Sequence, residues 1–193
     1  VPIIIEAVTK SYDGRKVLDA VSATLPDSGI VCLTGPSGIG KTTLARIIAG
    51  LEKPDSGKVS GIEGKIISMV FQDDRLLPHS TVLENVALAG GETAARLWLE
   101  KLEIADAAGK KPAELSGGMK RRAALARALA FGGSLLILDE PYKGLDPALK
   151  ERVSGYIAEY AQDKPVVLIS HDPEDAAAAQ SVIRLAHVPG GDG

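Results

Sequence analysis

Val31-Cys32-Leu33-Thr34-Gly35-Pro36-Ser37-Gly38-Ile39-Gly40-Lys41-Thr42-Thr43 reads as a short apolar strand, a loop punctuated by glycine, and the start of a helix continuing through Leu44-Ala45-Arg46-Ile47-Ile48-Ala49. Gly35, Gly40, Lys41 and Thr42 fit G-x-x-x-x-G-K-[ST], the phosphate-binding loop. Backbone N–H groups approach a polyphosphate only where side chains are missing, and Gly35, Gly38 and Gly40 remove them while allowing positive φ. Pro36, Ser37, Ile39 and Thr43 complete the wrap. The loop opens onto a helix start, whose N–H groups and dipole favour anions. Lys41 is placed to reach the β- and γ-phosphates, and the Thr42 hydroxyl to ligate Mg²⁺.

Outward from this loop, the 193 residues suit one domain with a subdomain inserted. Apolar residues at 45% and charged residues at 24% are ordinary globular usage, which argues against disorder. A net charge of −3 gives no reason to expect nucleic acid or an anionic lipid surface as the main partner. Cys32 is the only cysteine, so no internal disulfide is possible; a reducing cytosol fits, with Cys32 a small buried hydrophobe in its strand. No stretch approaches a membrane span and no basic-then-apolar leader opens the chain, so the sequence reads as soluble by itself.

Residues 2–8 and 20–25 read as strands, the second alternating as a half-buried antiparallel strand should. Asp13-Gly14, Asp27-Ser28-Gly29 and Pro54-Asp55-Ser56-Gly57 mark turns. Residues 65–71 form a strand leading to Gln72. From there to Phe131 the pattern turns helical, with helices over 83–88, 93–102 and 119–131 separated by Gly90-Gly91 and by residues 109–112. Residues 134–138 and 165–170 are unbroken apolar runs, suited to strands of a parallel sheet covered on both faces. A helix from Pro147 to about Gln162 lies between them. A last strand over 181–186 precedes a frayed end at Gly190-Gly191-Asp192-Gly193.

Two further clusters carry chemistry. Asp139-Glu140 places two carboxylates at the C-terminal end of a buried strand, where ligands sit in open α/β sheets. Asp139 is suited to hold Mg²⁺, and Glu140 to polarise a water against the γ-phosphate. In Leu115-Ser116-Gly117-Gly118-Met119-Lys120-Arg121-Arg122, Ser116 caps a helix whose first N–H groups Gly117 and Gly118 leave bare, a second anion cradle. A single nucleotide needs only one. The plainer reading is a capped surface helix with a basic first turn.

The order of phosphate loop, Gln72, Leu115-Ser116-Gly117-Gly118, Asp139-Glu140, Leu145-Asp146 and His171 resembles the ATP-binding cassette (ABC) ATPases over nearly the whole chain. The resemblance implies an α/β P-loop NTPase fold with a mainly parallel central sheet, an N-terminal antiparallel β subdomain and an inserted helical subdomain. Residues 1–71 and 132–193 would form the core and 72–131 the helical part. It also implies a head-to-tail homodimer around two ATP molecules, in which the Ser116-Gly117-Gly118 helix start of one copy completes the site of the other. Tyr12 matches the adenine-stacking aromatic, Gln72 the glutamine that touches Mg²⁺ or the attacking water, and Glu140 the catalytic base. Asp146 matches the loop aspartate that speaks across the dimer, and His171 the γ-phosphate histidine. Met119 stands where the family signature has glutamine, and Tyr142-Lys143 replaces a commoner small-residue approach to Leu145-Asp146.

Phe71-Gln72-Asp73-Asp74-Arg75-Leu76-Leu77-Pro78 and Thr81-Val82-Leu83-Glu84-Asn85-Val86 are similar to ATPases of nitrate, sulfonate and taurine importers, with His79 where tryptophan often stands. Trp98 reads as subdomain core rather than a ligand contact. The resemblance implies an ATPase beneath a transmembrane permease on the inner face of the membrane, importing with a solute-binding protein. The alternative is a soluble ABC-type ATPase that remodels a cytosolic assembly. A GTPase is disfavoured because Asn85, the only asparagine, is in no N-K-x-D, and a kinase would leave the Ser116 segment unexplained.

Overall fold

The computed structural model describes residues 1–186, so the expected frayed end at 190–193 lies outside the described residues. In chain order the first elements are β1 (Ile3–Tyr12), β2 (Arg15–Leu25), β3 (Gly29–Thr34), α1 (Lys41–Ile48), β4 (Ser56–Ser60) and β5 (Ile67–Val70). They are followed by α2 (Val82–Lys101), α3 (Gly117–Phe131), β6 (Leu135–Asp139), α4 (Pro147–Tyr160), β7 (Pro165–Ile169), α5 (Pro173–Ala178) and β8 (Ser181–Arg184). The architecture is α/β, in two compact units: Val1–Lys65 with the chain from Tyr160 onward, and Ile66–Glu159.

In the first unit Ile3, Ile5 and Val8 point inward from β1. Asp13 and Gly14, both at positive φ (49° and 79°), close the β1–β2 hairpin as a type I′ turn needs, and Tyr12 pairs with Arg15 beside it. The strands outrun the expected 2–8 and 20–25 because bulges absorb the breaks in alternation. Ala7 and Ala20 each sit at φ 47°, and their N–H groups donate to Ser22 Oγ (2.9 Å) and Thr9 Oγ1 (3.0 Å). Where the sequence pointed only to a turn, β4 pairs antiparallel with the other edge of β1. A second, parallel ladder places β3 between β7 and β8, with Leu33 opposite Ile169 and Thr34 opposite Arg184. Helix α1 covers β7 with Leu44, Ala45, Ile47 and Ile48.

In the second unit β5 and β6 are parallel, with Val70 opposite Leu138, and β6 is buried along its length, as its unbroken apolar run requires. Thr81 opens α2 with a capping box: its Oγ1 accepts from Glu84 N (3.2 Å) and Glu84 Oε2 accepts from Thr81 N (2.7 Å). Gly91, at φ 79° and ψ 169°, breaks α2 into two arms, which are the two helices expected on either side of Gly90-Gly91. Trp98 is half-buried and meets Tyr156 edge to face at 5.6 Å, with the Lys101 ammonium 4.8 Å from both rings. No helix among the described residues is long and apolar enough to cross a membrane.

Two outcomes test this packing. Gly90 faces the Ala130 carbonyl so closely that no Cβ fits, so Gly90→Ala should destabilise the chain by about 2 kcal/mol in urea unfolding, the helix-propensity gain being too small to offset the clash. Asp146 Oδ1 accepts from Leu149 N (3.0 Å) at the start of α4, and that N–H first of all holds its carboxyl below the ordinary 3.8. A lowered folded pKa means the cap stabilises fully above the ordinary value and fades as pH falls through the lowered one. Asp146→Ala should therefore lower the melting temperature at pH 7, and the gap from the parent chain should close below about pH 4.

Candidate functional site

Each unit carries its own set of the residues singled out in the sequence. In the first unit the phosphate loop leaves the C-terminal end of β3, the strand held on both sides by β7 and β8. Gly35, at φ 143°, lies against β8's exit: a Cβ there would stand 2.7 Å from the Leu185 carbonyl oxygen. Gly40, at φ 100°, is the residue before α1, and a Cβ on it would stand 2.8 Å from the Val17 carbonyl and 2.9 Å from Leu18 Cδ2. Gly38, at φ 75°, has no atom near its missing side chain, so this side of the loop is open to a ligand. Helix α1 has no side-chain cap and no acidic residue in its first turn, which leaves its N-terminus electropositive.

The Lys41 ammonium folds back over the loop, donating to the Gly35 and Pro36 carbonyls at 2.8 Å each. A cation thus lies over the cradle of glycines. Thr34 Oγ1, at the loop's root, is buried and has no hydrogen-bond partner. A strand-borne glycine cradle, an uncapped helix start and a lysine over it fit a triphosphate.

Tyr12 ends β1 at the hairpin turn, 41% exposed. Its hydroxyl donates to Glu52, and the Lys10 ammonium lies 5.5 Å from the ring centroid. Lys10 in turn holds Asp55 Oδ1 and the Lys53 carbonyl, both at 3.0 Å, while Asp55 Oδ2 accepts from Ser11 N at 2.7 Å. Burial and the Glu52 bond push the phenol above its usual pKa, against the Thr43 hydroxyl, which brings the ring beside α1. The structure therefore gathers Tyr12, Thr43 and the loop in one unit. His171 follows β7 from the same end at which Gly35 leaves β3. Its neighbours pin it: buried Ser170 Oγ donates to Asp175 Oδ2 (2.6 Å) and accepts from Asp172 N (3.0 Å), and Asp172 caps α5.

In the second unit Gln72 and Asp139-Glu140 leave the same end of the adjacent strands β5 and β6. Asp139 is 2% exposed, and Glu140 adopts φ 53°. Ser116 Oγ accepts from Met119 N at 3.3 Å and caps α3, whose first turn carries no acidic residue. Ser116 and Gly117 are exposed, and nothing stands where a Gly117 side chain would be. Gly118 lies against the Gly144 turn, with a Cβ position 3.1 Å from the Gly144 carbonyl, just before Leu145-Asp146.

One member of this set escaped the sequence. The basic stretch Lys120-Arg121-Arg122 reads as a solvated first turn, yet Arg121 is 4% exposed. It binds the Asp139 and Glu140 carbonyls, the Phe71 carbonyl (2.5 Å) and Asp74 Oδ1 (3.2 Å). No local pattern marks which of three neighbouring cations turns inward.

The family model described as ABC transporter matches residues 18–143, more than half of the chain. An aliphatic sulfonates import ATP-binding protein of Rhodococcus jostii is 43% identical over 185 residues, covering 90% of this chain and 74% of that protein. The putrescine transport ATP-binding protein of Escherichia coli is 38% identical over 192 residues, covering 89% of this chain; the chain spans about half that relative, 51%. Among solved structures, a bacterial ABC transporter cassette determined as a dimer matches with a TM-score of 0.88 at 31% identity, covering 95% of this chain and 94% of that one. The same cassette, bound to ADP and Pi in a post-hydrolysis state, matches equally well, with a TM-score of 0.88. The resemblance drawn from the motifs is borne out, as is the α/β P-loop fold it implied. By its matched family, its fold and its phosphate loop, the chain belongs to the ABC transporter family, as one of its ATP-binding, ATP-hydrolysing cassettes.

Proposed function

We propose that this chain drives solute import: two copies close head to tail on two ATP molecules beneath a transmembrane permease, and hydrolysis lets them reopen. The carrying observation is the exposed, serine-capped start of α3, a second anion cradle in a chain that already has a phosphate loop. A dimer uses both cradles on each nucleotide, and two similar solved cassettes were determined as dimers. Relatives named for sulfonate, sulfate and thiamine import support import, and do not favour the cytosolic-remodelling alternative. A solute-binding protein would complete such a system, and the chain would work at the inner membrane face through its permease. In this reading the chain is one cassette, with residues 1–71 and 132–193 as core and 72–131 as helical subdomain.

Tyr12 stacks on adenine. The backbone from Gly35 to Thr43 wraps the phosphates, and Lys41 leaves the Gly35 and Pro36 carbonyls for the β- and γ-oxygens. Among the described residues no group of three or more His, Cys, Asp or Glu holds a metal by itself. Mg²⁺ binds by few protein ligands together with phosphates, and Thr42, Gln72 and Asp139 would hold it. Bound there, the ion supplies charge neutralisation on the phosphate oxygens. Glu140 accepts a proton from the attacking water, while His171 and Gln72 orient the γ-phosphate and that water. Ser116, Gly117 and Gly118 of the second copy bind the γ-phosphate, and Asp146 lies where the copies meet. Closure is a population shift driven by nucleotide that binds the closed dimer better.

Glu140→Gln should lower ATP turnover by roughly 10²–10⁴ and accumulate an ATP-bound dimer, read by phosphate release and light scattering. Normal turnover, or a variant that stays monomeric with Mg-ATP, contradicts the assignment. Affinity-tagged chain recovered from solubilised membranes should bring down an integral membrane protein; recovery with cytosolic proteins only would favour the remodelling alternative.

A further inference from the structure

Arg121 is a buried cation on α3 whose acceptors are main-chain carbonyls and one carboxylate, that of Asp74. Its Nη2 donates to the Asp139 carbonyl and, at 2.7 Å, to the Glu140 carbonyl, which also receives Nε at 3.2 Å. Its Nη1 donates to the Phe71 carbonyl at 2.5 Å and to Asp74 Oδ1 at 3.2 Å. These acceptors flank Gln72 on one strand end and include Glu140 itself on the other. Six residues on, Arg127 holds the same loop again, with Nη1 on the Arg75 carbonyl (2.8 Å) and Nη2 on that of Asp74 (3.0 Å).

The Glu140 backbone needs such a hold. At φ 53° it occupies the left-handed region, which a residue with a Cβ enters at a penalty, and it precedes Pro141, whose ring restricts it further. Residues in such conformations persist where their surroundings over-determine them. A planar guanidinium fixes two carbonyl directions at once, which an ammonium on a flexible stem does not.

We propose that Arg121 is a positioning residue: it holds the Glu140 backbone in its left-handed turn and fastens it to the loop bearing Gln72, so the carboxylate and the amide are presented together. This rests on reading Glu140 as the base. The donors of Arg121 go to protein acceptors, so its influence is on rate rather than on ATP binding, which the phosphate loop governs. Because Ser116 opens the same helix, a movement of α3 is carried to the Glu140 backbone by this side chain.

The test uses Arg121→Gln, Arg121→Lys and Glu140→Gln, and the doubles of the first two with the third, in the full chain. Turnover, affinity for a fluorescent ATP analogue and melting temperature are read together. Arg121→Gln should lower kcat roughly tenfold to a hundredfold, the scale of a misplaced reacting group, with analogue affinity within about twofold. Arg121→Lys, which retains a cation for Asp74 but not the fork, should recover melting temperature and not kcat. In the Glu140→Gln background either change should alter the residual rate by less than about twofold, as for residues acting as a unit. Should Arg121→Gln fail to fold, Arg121→Lys decides alone by the same rate criterion. Wild-type kcat in the folded variants, or the same fold-loss in both backgrounds, overturns the inference while leaving the base in place. Wild-type turnover by Glu140→Gln overturns the base assignment and this inference with it.

Discussion

Under the phosphate loop, main chain rests on main chain. Gly35 abuts the carbonyl after β8 and Gly40 abuts the carbonyl of Val17 in β2, with no room for a Cβ at either point. The loop is thereby shaped from below by two separate pieces of sheet, and its upper side is left to the ligand. Much of the first unit follows from this. The hairpin must be long enough to bring Val17 under Gly40, which the bulges at Ala7 and Ala20 allow without losing the inward face of β1. Strand β3 must be rigid, and it is gripped on both edges by parallel neighbours. A loop so supported keeps its form before nucleotide arrives, and little ordering entropy is then charged to binding.

The parts legible in the sequence were those whose physics is local. The phosphate loop declares itself in contiguous residues because every backbone approach there demands glycine at a fixed offset. Leu135–Asp139 and Pro165–Ile169 were legible because a strand covered on both faces has no reason to alternate. Strand β4 was not: Ser56-Gly57-Lys58-Val59-Ser60 has a single aliphatic residue, and only its partner β1 makes it a strand. Helix α5 is too short for periodicity to show, and Asp172 caps it in the structure. Arg121 was hidden among cations because burial of a guanidinium depends on carbonyls contributed by distant strand ends. Nothing in Asp139-Glu140-Pro141 announces a left-handed glutamate.

Within the second unit, α3 has an unusual division of labour. Its first turn is exposed and glycine-bare, while its later positions, besides packing alanine and leucine, send three arginines, Arg121, Arg122 and Arg127, to backbone oxygens. Desolvating a guanidinium is expensive unless its donors are saturated, and strand ends offer the carbonyls that saturate them. The helix is thus bound to strand β6 and to the segment after β5 by directional bonds, where apolar contact alone would permit sliding.

The break at Gly91 gives α2 a mechanical character that an unbroken rod would lack. A continuous helix of 20 residues would be a stiff lever of ~30 Å. Interrupted, it becomes two short struts: one rooted at the Thr81 cap and lying on α3 through Gly90, the other anchored by the Trp98–Tyr156 contact. A push on the first strut is absorbed at the joint, and the far strut can keep its seat against α4 while its neighbour tilts.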